Sequence, residues 1–96
     1  MEYVMEENKV IIKLEGELNS FNSEQVEKDI DEILSGNHFE SIVLDAKGLR
    51  YISSAGLRIV ARLKQQYHDV SIIHTQDDVY SILEMVGFTE EINVIR

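Results

Sequence analysis

Cysteine and proline are absent from this 96-residue chain, and glycine, histidine and the basic residues are sparse. Without cysteine there is no disulfide framework and no thiolate ligand, which fits a reducing compartment and leads us to expect a cytoplasmic protein. The lack of proline argues against linkers and proline-rich docking segments. The five glycines are dispersed, so no glycine-rich loop is available to cradle a phosphate. No apolar run approaches the ~18 residues of a membrane span. Residues 1–7 carry neither a basic region nor a signal-peptide core, so neither export nor membrane insertion is expected. Nine Lys and Arg against 18 Asp and Glu give a net charge of −9, which argues against direct nucleic-acid or anionic-membrane binding, because either needs clustered cations. Such acidity serves solubility, and it also suits a basic protein partner.

Enzyme constellations are missing too. His38, His68 and His74 are scattered, with no metal-ligand spacing among them. No Gly-x-Ser-x-Gly elbow surrounds any serine, and no paired base is evident. We expect no catalytic residue, no metal and no cofactor.

What is present reads as alternating strands and helices. Val10, Ile12 and Leu14 share one face of a half-buried strand, with a short strand at Tyr3, Val4 and Met5 before it. Gly16 marks a bend, after which Glu17, Leu18 and Asn19 are expected to lead away from the sheet. Asn22 with Gln25 suggests a capped helix start, with Phe21 stapled onto Val26. Val26, Ile30, Ile33 and Leu34 then follow helical spacing, and Gly36 suits the stop. Residues 41–45 read as a buried strand ending in Asp45, with a turn at Ala46, Lys47 and Gly48. A second helix follows with Leu57, Val60, Ala61 and Lys64 on one side. Arg58 and Arg62, spaced i, i+4, are expected to point together. Another strand spans 70–73. Thr75 with Asp78 suggests a capping box for a third helix, which Gly87 and Phe88 end before an edge strand at 92–95. These elements predict one α/β domain over residues 1–96, with a mixed sheet of about four to five strands and helices packed on it.

The stretch Tyr51-Ile52-Ser53-Ser54-Ala55-Gly56-Leu57 organises the rest. Ser53 is placed as an N-cap, which leaves the Ser54 hydroxyl on the first helical turn, free to face solvent. Ala55 and Gly56 add little bulk. Glycine early in a helix costs ~1 kcal/mol relative to alanine, so Gly56 needs a reason. Close approach by a partner's backbone is one, and tight packing of the loop onto the sheet is the other. Asp45 is either an acid capping the turn at Gly48 or part of a partner surface, and Asn19 either a turn residue or a neighbour of the serine loop.

Leu44-Asp45, Gly48-Leu49 and residues 52–57 resemble the signature of the STAS domain of bacterial anti-sigma factor antagonists, in which a strand ending in Asp leads through a loop into Ser-Ser-Gly-Leu or Ser-Ala-Gly-Leu. The resemblance implies that Ser54 is phosphorylated. Ser53 stands where many members carry Asp, and is a second candidate acceptor; Asn19 stands where the family commonly has Asp. It implies a STAS-like fold and a binding module, not an enzyme. The unmodified form would capture an anti-sigma factor serine kinase of the histidine-kinase-like ATPase class and so free a sigma factor. A PP2C-type serine phosphatase would reset it. Asn19, Asp45, Ser53, Ser54, Ala55, Gly56, Leu57 and Arg58 are the implied partner surface. Two alternatives stay open: a nucleotide- or anion-binding domain using the same helix start with Lys47 and Arg50, and a structural STAS subunit of a membrane transport complex.

Overall fold

Alternate residues along the central strands vanish from solvent: Val10, Ile12 and Leu14, then Ile42, Leu44 and Ala46, then Val70 and Ile72. The residues between them, such as Ile11, Val43 and Ile73, remain partly exposed, so one face of the sheet is packed and the other open. The computed structural model describes residues 1–96. Its elements are β1 (Tyr3–Glu6), β2 (Lys9–Leu18), α1 (Ser23–Leu34), β3 (Ser41–Ile52), α2 (Ser54–Gln66), β4 (Asp69–Ile73), α3 (Asp77–Met85), α4 (Phe88–Glu91) and β5 (Asn93–Val94). The five strands lie in chain order, with β1 antiparallel to β2 and every later pair parallel. In such a sheet each right-handed crossover returns its helix to the same side, which is why one face holds the core. The expected mixed sheet with helices packed on it is what the chain forms.

Two expectations near the centre need correction. Neither the bend at Gly16 nor the turn at 46–48 ends its strand. β2 and β3 run on together to Leu18 and Ile52, absorbing register shifts between Lys13 and Glu15 and between Gly16 and Glu17. Gly16 takes φ +70, a left-handed conformation that suits an irregularity inside a strand. The strands continue because Leu18, Leu49 and Ile52 still have a core to enter, each being about as buried as the residues before the bulge. Asp45 is therefore inside β3 and not at its carboxyl end.

The helices follow their apolar stripes. α1 buries Ile30, Ile33 and Leu34, and Gly36 at φ +75 follows its last turn. Its start differs from the expected capping box. Asn22 is the cap residue, but its side chain makes no capping bond. Gln25 donates to Asp29 instead, and Phe21 stands in solvent without touching Val26 as a staple would. α2 buries Gly56, Ile59, Val60 and Leu63, whereas Lys64 is exposed. Arg62 does not project beside Arg58. Its guanidinium donates to Glu27 at 2.6 Å, Asp31 at 2.8 Å and Gln66 at 2.9 Å, tying α2 to α1. Burial works against that cation, but the bonds to Asp31 and Glu27 outweigh it and raise its pKa further.

At the C-terminal end Gln76, not Thr75, holds the N-cap position of α3, and no side chain makes a capping bond there. The Thr75 hydroxyl donates to the Ile95 carbonyl at 2.7 Å, and the Thr75 amide donates to the same oxygen at 3.0 Å. Gly87 closes α3 at φ +86, its amide donating to Glu84, as its position before Phe88 suggested. Phe88 opens the short α4 and packs against the core, and β5 pairs with β4 through Asn93 and Val94.

Candidate functional site at the start of helix α2

β2 and β3 are parallel, so their carboxyl ends meet at the same end of the sheet, where α/β proteins concentrate functional groups. Leu18 and Ile52 are register partners there, and the Ser53 amide donates to the Leu18 carbonyl at 2.8 Å. That bond ties the chain entering α2 to the chain leaving β2. Ser53 adopts extended backbone geometry, and its hydroxyl oxygen accepts from the Gly56 amide at 3.5 Å. The Ser53 carbonyl accepts from the Leu57 amide at 2.9 Å. Ser53 is thus the N-cap, as its place before the apolar stripe suggested.

Ser54 is the first residue of α2 and is exposed. With capping done by its neighbour, its hydroxyl has no bonding partner in the chain. The amides of Ser54 and Ala55, as first-turn groups, have no intrahelical acceptor. An anionic group on Ser54 would therefore meet open donors and the positive end of a 13-residue helix.

Gly56 resolves the choice left open by its sequence. A Cβ there would lie 2.7 Å from Ile52 Cγ1 and 2.7 Å from Leu18 Cγ. Packing of α2 onto the sheet end requires the glycine, and no partner need be invoked for it. Leu57 leans on the core, and Arg58 points into solvent with no carboxylate within ion-pair distance.

Asn19 belongs to this corner by geometry. Its Oδ1 accepts from the amides of Phe21 at 2.9 Å and Asn22 at 3.1 Å. Asn22 answers by accepting from the Asn19 amide at 2.9 Å and donating to the Glu17 carbonyl at 2.7 Å. Asn19 is thus a turn residue, next to the serine loop through the Leu18–Ser53 bond.

Asp45 lies elsewhere. Seven strand positions separate it from Ile52, on the order of 20 Å. Its carboxylate does cap a local turn, but through the Lys47 amide at 3.1 Å and not at Gly48. The same oxygen lies 3.0 Å from His74 Nδ1, while Gln76 donates to the Lys47 carbonyl at 2.8 Å. His74 holds a left-handed φ of +57, so the β4–α3 loop is bent onto β3 at this point. Neither the clamp nor the role of His74 was visible in the sequence, because the partners are 29 residues apart. Lys47, required by an anion site at the helix start, is in this clamp and on a cleft of about 270 Å³ with Lys13, Glu15 and Asp45.

Burial pushes the Asp45 carboxyl up, but hydrogen bonds from His74 and the Lys47 amide, with the charges of His74 and Lys13, more than offset it. The folded pKa is lowered from 3.8. A lowered carboxylate contributes stability that is complete above its unfolded value and is lost as pH falls through the folded one. Urea unfolding should therefore show wild type losing more stability than Asp45→Asn as the pH falls from about 5 to below 3.8. Parallel losses in the two proteins would show that the clamp carries no ionic stabilisation.

Residues 1–96 match the model of the STAS domain. The anti-sigma F factor antagonist of Paenibacillus polymyxa is 28% identical over 82 residues, 81% of this chain and 70% of that one. The unphosphorylated form of the anti-sigma factor antagonist SpoIIAA superposes with a TM-score of 0.81 at 17% identity, covering 97% of this chain and 85% of that one. The phosphorylated form of the Bacillus cell fate determinant SpoIIAA superposes with a TM-score of 0.72 at 16% identity, covering 97% and 88%. At these identities the structural likeness establishes the fold alone. A serine-led helix seated on the carboxyl ends of two parallel strands, in a chain matched along its whole length, places this protein in the STAS-domain family, alongside relatives named as anti-sigma factor antagonists.

Proposed function

We propose that this STAS domain is an anti-sigma factor antagonist whose switch is Ser54, working as a cytoplasmic binding module and not as an enzyme. In this reading the unmodified form binds an anti-sigma factor that is also a serine kinase of the histidine-kinase-like ATPase class, and releases its sigma factor. Phosphorylation of Ser54 ends the capture, and a PP2C-type phosphatase restores it. The observation that carries the reading is the division of labour at the helix start. Ser53 caps, so Ser54 is left exposed with a hydroxyl that the fold does not use.

The chemistry is consistent with a reversible mark. A phosphate adds about −1.5 to −2 charge at neutral pH and three acceptor oxygens. The free amides of the first turn and the helix dipole can receive it, so the fold tolerates the group. A docked partner does not, because a dianion must then be desolvated against it. Arg58 extends the proposed contact surface along α2, whereas Arg62 is already engaged with α1 and Asp45 is remote from Ser54.

The test is phosphate transfer by the serine-kinase anti-sigma factor of the same organism, located by mass spectrometry. Wild type should carry the phosphate on Ser54, and Ser54→Ala should carry none while melting as wild type does, since the Ser53 cap is intact. Phosphate found on Ser53 alone would move the switch by one residue. Failure of wild type to accept phosphate or to bind the kinase would overturn the reading.

A further inference from the structure

Phe21 is 97% exposed, more than any other large apolar side chain in the chain. A phenyl ring held in water finds no stabilisation in the monomer, yet the backbone beneath it is fixed. Its own amide and the next are bound by Asn19, and Asn22 is anchored to Glu17. The loop therefore presents the ring outward on a fixed backbone, so that only the side chain is left to order on binding. Its position is specific. Phe21 lies three residues past Leu18 and Ser54 two past Ile52, and those two residues are register partners. Chain length alone keeps both within about 10 Å of the same strand ends.

We infer that Phe21 is the apolar anchor through which the kinase that modifies Ser54 holds this protein. The inference rests on the reading of Ser54 given above and adds the chemistry of the partner's surface. That surface has an apolar pocket wide enough for a phenyl ring, with acidic groups toward Arg58, whose guanidinium is exposed and unpaired. Aromatic residues seated in pockets are the usual centres of binding energy at such contacts. A second copy of this chain fits less well, because two chains of net charge −9 would be brought together.

The experiment compares wild type, Phe21→Ala and Ser54→Asp by titration calorimetry against the purified anti-sigma kinase, with melting and sedimentation of each protein alone. Phe21→Ala should bind about 30-fold more weakly or worse, and should melt with wild type because the ring touches no core. Unchanged affinity for Phe21→Ala, with Ser54→Asp still weakened, would remove the anchor and leave the Ser54 switch standing. A clear drop in melting temperature for Phe21→Ala would make the ring structural and overturn the inference. So would a wild-type dimer dissociated by Phe21→Ala with unchanged kinase affinity, since the occupant would then be a second copy. A kinase that binds none of the three proteins removes the switch and the anchor together.

Discussion

Ser54→Asp is expected to weaken binding of the anti-sigma kinase by about a hundredfold while leaving the fold intact or slightly firmer. The two effects separate because the helix start and the interface respond oppositely to charge. In the free protein the new carboxylate sits on the first turn of α2, beside the open amides of Ser54 and Ala55. An acid there stabilises a helix by ~0.3–1 kcal/mol through the dipole. For a domain of this size that corresponds to a rise of a few degrees in melting temperature. In the complex the same carboxylate loses its water, and an uncompensated charge of this kind costs about 3 kcal/mol or more. Each 1.4 kcal/mol is a tenfold change in affinity, so a hundredfold loss needs ~3 kcal/mol. Calorimetry against the kinase measures the first effect and thermal unfolding the second. Wild-type affinity in the Ser54→Asp protein would show that Ser54 lies outside the contact.

Gly56→Ala is expected to be the most damaging single-methyl change in the chain. In an open helix the swap would stabilise by ~1 kcal/mol, since alanine is the better helix former. Here the added carbon lies 2.7 Å from Ile52 and 2.7 Å from Leu18. Both residues are 2% exposed, so neither side chain has space to swing away. Helix α2 must lift, opening the packing of Ile59 and Leu63 beneath it. Overpacking of this kind costs typically ~1–3 kcal/mol, and displacement of a helix start lies at the upper end. A net loss of about 2 kcal/mol lowers the melting temperature by roughly 8–16 °C. A variant that melts with wild type would show that α2 is not seated as closely as the contacts require.

The sequence made the sheet legible wherever apolar residues alternate, and the helices wherever they recur at three and four. Val10, Ile12 and Leu14, or Ile30, Ile33 and Leu34, announce their burial directly. The serine loop was legible because capping is local: Ser53 meets its partner three residues away. Bulges were not, since Gly16 and Lys47-Gly48 look like chain reversal until the neighbouring strand is known to continue. Arg62 misled for a related reason. Its i, i+4 neighbour Arg58 is visible in the sequence, whereas Glu27 and Asp31, its bonded partners, stand on another helix. Phe21 misled in the opposite way, because a staple onto Val26 is local and plausible, and only the geometry of the Asn19–Asn22 turn shows the ring facing outward.

The fastening of α2 bears on how the proposed phosphate at Ser54 would act. Gly56 and the Ser53–Leu18 bond hold its first turn to the sheet, and Arg62 holds its later turns to α1. Under the proposed switch, a phosphate on Ser54 would therefore sit on a helix fastened at both its first and its later turns. In that reading the message would be a change in surface charge, and the free energy coupling phosphate to partner would arise at the contact between the two molecules. Such coupling is reciprocal: whatever factor the phosphate removes from partner affinity, bound partner removes from the equilibrium occupancy of the phosphate.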